Sequence, residues 1–169
     1  MKFEYELFLK IQEELSKEER SKDCIHVSDL LVGIYKDTPT QEMFNRGKLY
    51  HYAIESILLK YYPTSIVEKE FRTTVENKEV CFTPDAIIPY TKDEELTLAL
   101  IEIKSSQKSY DYALIQTSIY RYLLQTLNII VDECYLITPE VKVKQLPCSS
   151  ELGEREIRNR LKQNLFNFL

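Results

Sequence analysis

Leu96-Thr97-Leu98-Ala99-Leu100-Ile101-Glu102-Ile103-Lys104-Ser105 is the stretch around which the chain is arranged. Apolar residues dominate it up to Ile103, and across them a carboxylate and an amine stand two positions apart. Residues two apart on a β-strand point to the same face. Glu102 and Lys104 therefore project together, with Ile101 and Ile103 on the opposite side. Charges are rarely buried unpaired, so opposite charges on one face of a buried strand need a chemical reason. Seventeen positions before Glu102 stands another acid, Asp85, within the largely apolar run Thr83-Pro84-Asp85-Ala86-Ile87-Ile88.

Two further stretches flank this pair. Gly47-Lys48-Leu49-Tyr50-His51 lies on an expected helix from Gln41 to Tyr61, and Gln116-Thr117-Ser118-Ile119-Tyr120 on another from Tyr110 to Asn128. The order Gly-x-x-x-His, Pro-Asp, Glu-x-Lys, Gln-x-x-x-Tyr resembles the PD-(D/E)XK nuclease superfamily. Within it the pattern is similar to the RecB-like subgroup and its small CRISPR-associated exonucleases. The resemblance covers roughly positions 26 to 138, most of the chain, as one domain would require.

That resemblance implies an α/β fold with a restriction-endonuclease-like αβββαβ core, a mixed central sheet flanked by helices. It implies a metal-dependent DNA nuclease, an exonuclease on single strands or DNA ends. Asp85, Glu102, Lys104, Gln116 and Tyr120 would be the catalytic set, and His51, Asp85, Glu102 and the carbonyl of Ile103 would hold metal. Carboxylates suit Mg²⁺ or Mn²⁺, and the imidazole favours Mn²⁺ somewhat. Lys104 would hold or activate the attacking water, with Gln116 and Tyr120 orienting Lys104 or its strand. A first-strand glutamate often lies near the site in this family; Glu70 is the better match and Glu68 the next. Many members carry an iron–sulfur cluster held by one early cysteine and three near the C-terminus. Here no cysteine stands near Val32-Gly33 and none follows Cys148, so no cluster is expected. A structure-specific endonuclease, usually a symmetric dimer, and a non-catalytic DNA-binding subunit remain alternatives. The number of metals, the oligomeric state and the pathway stay open, and a mobile-element or viral origin is compatible.

Composition sets outer bounds. The 169 residues suffice for one domain with a real core, centred on about 41–146 with a helix packed on it at each end. Hydrophobic residues are 44% and charged ones 29%, a globular profile. No apolar run is long enough to cross a bilayer, and the Glu- and Lys-rich Met1–Arg20 stretch is unlike a signal peptide, so a cytoplasmic protein is expected. The net charge of −5 argues against a general nucleic-acid coating protein. It leaves room for an acidic metal site beside a local basic strip drawn from Arg46, Lys48, Arg72, Lys108, Arg121, Lys142 and Lys144. The four cysteines, Cys24, Cys81, Cys134 and Cys148, form no C-x-x-C and are expected as reduced, mostly buried thiols; a meeting of Cys24 with Cys148 stays open.

Periodicity supplies the remaining elements. Phe3, Leu7, Ile11 and Leu15 predict an amphipathic helix over about 2–19. His26, expected to be structural, leads into a short helix with Ser28 as N-cap. Met43, Gly47, Tyr50, Ile54, Ile57 and Tyr61 form the expected buried stripe of the next helix, where Gly47 suggests close approach by another backbone. Ser65–Val75 and Val80–Tyr90 read as a long antiparallel hairpin turning at Glu76–Glu79. Glu133–Thr138 is a short strand, and Val141–Lys144 an edge strand guarded by lysines. Pro147–Gly153 reads as a loop before a final helix over 154–168.

Overall fold

A computed structural model describes residues 23–31, 41–105, 110–139 and 142–166. The expected N-terminal helix and Lys108 lie outside them. The elements are β1 (Ile25–His26), α1 (Val27–Leu30), α2 (Gln41–Tyr61), β2 (Ile66–Val67), β3 (Phe71–Val75), β4 (Lys78–Phe82), β5 (Ala86–Lys92), β6 (Glu95–Ile103), α3 (Tyr110–Thr126), β7 (Glu133–Thr138), β8 (Lys142–Leu146) and α4 (Ser150–Phe166). They make an α/β fold with two mixed sheets, ordered β2-β5-β6-β7-β8 and β1-β4-β3, flanked by helices.

The expected hairpin forms and is then bent. Ile66 pairs with Ile87 and Val67 with Ala86 in the large sheet, while Phe71 pairs with Phe82 in the small one. Counting from one pairing to the other needs no insertion, so a single antiparallel ribbon passes from sheet to sheet. The interruption falls at Glu68–Glu70 on one strand and Thr83–Asp85 on the other. Pro84 has no N–H to give to a ladder. Glu68 has φ 51°, in the left-handed region that non-glycine residues seldom occupy. One rung survives, from Glu68 N–H to the Asp85 carbonyl at 3.2 Å. Two-residue turns join β3 to β4 at Glu76-Asn77 and β5 to β6 at Asp93-Glu94, all four residues at positive φ.

β6 is the axis of the large sheet, antiparallel to β5 and parallel to β7, with α3 as the crossover. Its two faces serve different cores. Ala99, Ile101 and Ile103 join Ala86, Ile88 and Ile137 against Ile54, Tyr50 and Leu58 of α2. Leu100 joins the larger core, where Ile119, Leu123 and Leu124 of α3, Ile157 and Leu161 of α4, and Val80 and Phe82 of the small sheet pack together. Strand alternation then puts Glu102 on the α3 side.

Several local expectations are corrected. On α2, Ile57 and Tyr61 are exposed; the inward face carries Tyr50, His51, Ile54, Glu55 and Leu58. Two polar side chains occupy places that an apolar count assigns to hydrophobic ones. The close neighbour of Gly47 is a side chain, Ser105 Oγ, 3.2 Å from where a Cβ would stand. The position preceding α1 is taken by His26, without a side-chain cap bond, and Ser28 lies inside the helix. The last helix begins at Ser150, because Ser149 caps it: its Oγ accepts from Leu152 N–H at 3.0 Å. Gly153, read as a loop residue, is therefore helical.

The cysteines are not free thiols. Cys24 bonds to Cys81 and Cys134 to Cys148, with Cα separations of 5.8 and 6.3 Å. Partners 57 and 14 residues apart leave no spacing signal; folding brings them within the ordinary disulfide reach.

Gly153 marks where α4 meets α3. A Cβ there would lie 1.9 Å from the Ser118 carbonyl oxygen and 2.8 Å from Ile119 N, both backbone atoms that cannot swing aside. Alanine favours helix by about 1 kcal/mol over glycine, but overpacking costs about 1–3 kcal/mol, occasionally more. The 1.9 Å approach to fixed backbone puts the cost at or beyond the upper end of that range, so after the helix gain Gly153→Ala should lower the urea midpoint by the equivalent of about 2 kcal/mol or more. Gly47→Ala, opposed only by a rotatable serine hydroxyl, should shift it far less. Equal effects would place the helix contact elsewhere.

Candidate metal and catalytic site

The site lies where β5 begins and β6 ends, beside the bend of the ribbon. Asp85, the last residue before β5, is buried, and its Oδ2 accepts the N–H of Ile103 at 2.7 Å. Its own N–H points to Glu102 Oε1 at 3.4 Å. Its other oxygen, Oδ1, faces His51 Nδ1 at 3.4 Å. Lys104 Nζ stands 3.7 Å from Glu102 Oε2. Lys104 continues the line of β6 because its N–H bonds to the Ile137 carbonyl at 2.9 Å. The amine lies 4.8 Å from the centre of the Tyr112 ring.

Gln116 and Tyr120 come from the buried face of α3, one turn apart. Gln116 Nε2 donates to the Tyr120 hydroxyl at 3.0 Å. Tyr120 packs on Phe82, ring centres 5.4 Å apart. Burial pushes its phenol well above the ordinary range, and the charge of Glu102 adds to this. Gln116 Oε1 is buried and meets no hydrogen-bond donor among the described residues.

The sequence reading missed Glu55, one helical turn after His51 on the same face. It also ranked Glu70 above Glu68, and the structure reverses that order. Oxygens of Glu55, Glu68 and Asp85 and a nitrogen of His51 all lie within 4.8 Å of one another. Glu70 instead sits 3.7 Å from Arg72 on the small sheet. The two glutamates are two apart and would share a face on a continuous strand; the turn of the backbone at Glu68 separates them. The His-x-x-x-Glu spacing of His51 and Glu55 was the available sign of the fourth member of this group.

The electrostatics suit a cation. Burial works against the charge of Asp85, yet His51 and Lys104 hold its carboxyl below the usual range. Burial and the charge of Asp85 push Glu102 well above it. Crowding by neighbouring protein atoms, the hydrogen bond to Glu55 and the charge of Asp85 lift Glu68 to about 10, although its residue surface is exposed to solvent. Four carboxyl groups thus converge on one imidazole and one ammonium, with more oxygen donors than positive charge to balance them. This is a hard, oxygen-rich donor set of the kind that binds divalent cations. His51, Glu55, Glu68 and Asp85 fit as direct ligands; Glu102 adjoins them through Asp85, and Ile103 touches the group through its N–H.

Of the basic residues considered for nucleic acid, Arg72 is committed to Asp23, at 2.8 Å, and Glu79, and Arg121 to the Cys148 carbonyl at 2.8 Å. Arg46 pairs with Glu42. Lys142 and Lys144 are exposed on the edge strand β8, and Lys144 lies 4.5 Å from the centre of the Tyr110 ring.

The fold is similar to that of SSO0001, known from a crystal structure. The two agree with a TM-score of 0.58 at 18% sequence identity, over 96% of this chain and 87% of that one. At that identity the likeness speaks for the fold alone. No protein-family model and no curated protein matches the sequence. No helix among the described residues is long and apolar enough to cross a membrane.

The acid cluster gives a pH prediction for the metal-free protein. The folded-state pKa of Glu68, about 10, lies above the ordinary carboxylate value of 4.5. A raised pKa means that the folded state binds the proton more tightly, so this stabilisation is full at low pH and is lost as pH rises towards 10. Stability of the chelated protein should fall across that window, and Glu68→Gln should flatten the fall. Mn²⁺ should remove the same slope by displacing the proton. Thermal melts from pH 5 to 9 that match for wild type and variant would contradict this assignment.

Proposed function

We propose that this chain is a divalent-metal-dependent DNA nuclease of the RecB-like PD-(D/E)XK type, acting on single strands or free ends. The observation that carries the reading is the meeting of His51, Asp85, Glu102 and Lys104 at one buried point. The four motifs lie far apart in sequence, and a strand-face salt bridge alone would need neither His51 nor Asp85.

Mg²⁺ or Mn²⁺, when bound, supplies positive charge to the phosphoryl oxygens and acidifies water. His51, Glu55, Glu68 and Asp85 would hold the ion. The N–H of Ile103 fixes one oxygen of Asp85 and leaves the other directed at His51. Lys104, tethered by Glu102, sits where an ammonium can orient the attacking water and offset charge growing on the phosphate. Tyr120, whose phenol feels the charge of Glu102, and Gln116, which donates to that phenol, stand on the buried face of α3, and Gln116 Oε1 is a further acceptor there. Lys142 and Lys144 would guide the strand by phosphate contact, and Tyr110 offers a face for a base. A DNA substrate fits an intracellular place of action.

End-labelled single- and double-stranded DNA tests this, with Mg²⁺, Mn²⁺ or EDTA. Wild type should cleave only with metal, and Glu102→Ala and Lys104→Ala should each lose about a hundredfold or more. Products shortened stepwise from an end support an exonuclease, and internal cuts an endonuclease. DNA bound but left whole by every preparation would instead favour a non-catalytic subunit, and cleavage surviving both substitutions would refute the site.

A further inference from the structure

A different group of potential ligands lies on the small sheet, outside the acidic site. Cys81 is in β4, the central strand, between β1 and β3. His26 is its register partner on one side and Arg72 on the other, so all three share a face. Cys24 precedes His26 by two and Glu70 precedes Arg72 by two, which carries the same face outward at both edges. Val80 and Phe82, on the opposite face, belong to the main core. The result is a compact set: ligand atoms of Cys24, His26, Glu70 and Cys81 all lie within 4.8 Å of one another.

We propose that, with the Cys24–Cys81 disulfide reduced, these four residues form a zinc site of two thiolates, one imidazole and one carboxylate. A disulfide alone needs no imidazole or carboxylate beside it. The Cys134–Cys148 pair belongs to no comparable cluster among the described residues. Sulfur and nitrogen donors in a closed set of four match the tetrahedral preference of Zn²⁺, whereas the oxygen-rich site at Asp85 suits harder ions. The Arg72 guanidinium, which also meets Asp23 and Glu79, stands 3.7 Å from Glu70 beside the set. Cys81 is fully buried and anchors the set, while Cys24, His26 and Glu70 are half-buried.

The chemistry has two steps. A small dithiol or a thioredoxin-type reductant gives two electrons and two protons to the disulfide, leaving two thiols and closing its own disulfide. Zn²⁺ then replaces the two thiol protons, which pass to solvent. Reducing surroundings favour the zinc form and oxidising surroundings the disulfide, so the cluster has two alternative closed states. Both tie β1 to the ribbon strand that continues to Asp85. The inference does not depend on the nuclease reading.

The test uses the full chain, stripped of metal and then either oxidised or reduced with a phosphine. Each form is titrated with Zn²⁺ against a chromophoric chelator, and with Co²⁺ for its absorption spectrum. Asp85→Asn is carried alongside to remove binding at the acidic site. Reduced protein should take up one zinc with a thiolate-to-cobalt charge-transfer band, and oxidised protein should show no such band. Cys24→Ser should abolish the band and Cys134→Ser should leave it. Glu70→Gln, at a partly exposed position that should not unfold the chain, should weaken zinc by more than about tenfold. Absence of the band from reduced wild type, its persistence in Cys24→Ser, its loss in Cys134→Ser, or unchanged affinity in Glu70→Gln would each overturn the proposal.

Discussion

The bond from Ile103 N–H to Asp85 Oδ2 is the constraint on which the site depends. At the start of β5, beside Pro84, regular pairing stops, and a backbone donor at the end of β6 would be left buried. An unmade buried hydrogen bond costs about 1–3 kcal/mol, so a side-chain acceptor is needed there. Asp85 supplies it and is thereby fixed between both layers, with His51 reaching from α2 and Glu102 on the side of α3. The same side chain completes the sheet and centres the chemistry.

Around it the molecule tolerates an electrostatic conflict. Glu68 and Glu102 are pushed towards their neutral forms by desolvation first and by the charge of Asp85 in addition. A chain selected only for stability would replace one of these acids by an apolar residue, because partly satisfied buried polar groups weaken a core. Their meeting where the ribbon bends against the end of β6 therefore carries a cost in stability. The left-handed backbone at Glu68 belongs to the same pattern, since local strain tends to gather at functional positions.

Much of this was legible in the order of residues. Alternation along Leu96–Lys104 placed Glu102 and Lys104 together, and the observed separation of 3.7 Å accords with it. The mixed α/β character followed from helical and strand periods; the hairpin was legible but not its register, because the turn is Glu76-Asn77 rather than Glu76–Glu79 and Val75 pairs with Lys78. What escaped had physical reasons. Glu68 and Glu70 are two apart, so strand alternation could not choose between them; the bend at Glu68 does, and leaves Glu70 beside Arg72. Polar Glu55 occupies an inward position on α2, which an apolar stripe cannot reveal. Gly153 read as a breaker although glycine there admits a neighbouring backbone, a tertiary fact. The cysteine pairs join residues whose proximity exists only after folding.

The unbroken register of the bent ribbon has an evolutionary consequence. Because pairing resumes without an extra residue on either strand, Glu68–Glu70 and Thr83–Asp85 must keep matching lengths. One residue gained or lost in either segment would turn every later side chain on that strand to the opposite face. Such a change would move Glu68 or Asp85 out of the acid cluster and Cys81 off the face of the small sheet. Relatives of this chain should vary in length at turns such as Asp93-Glu94, and hardly at all across the bend.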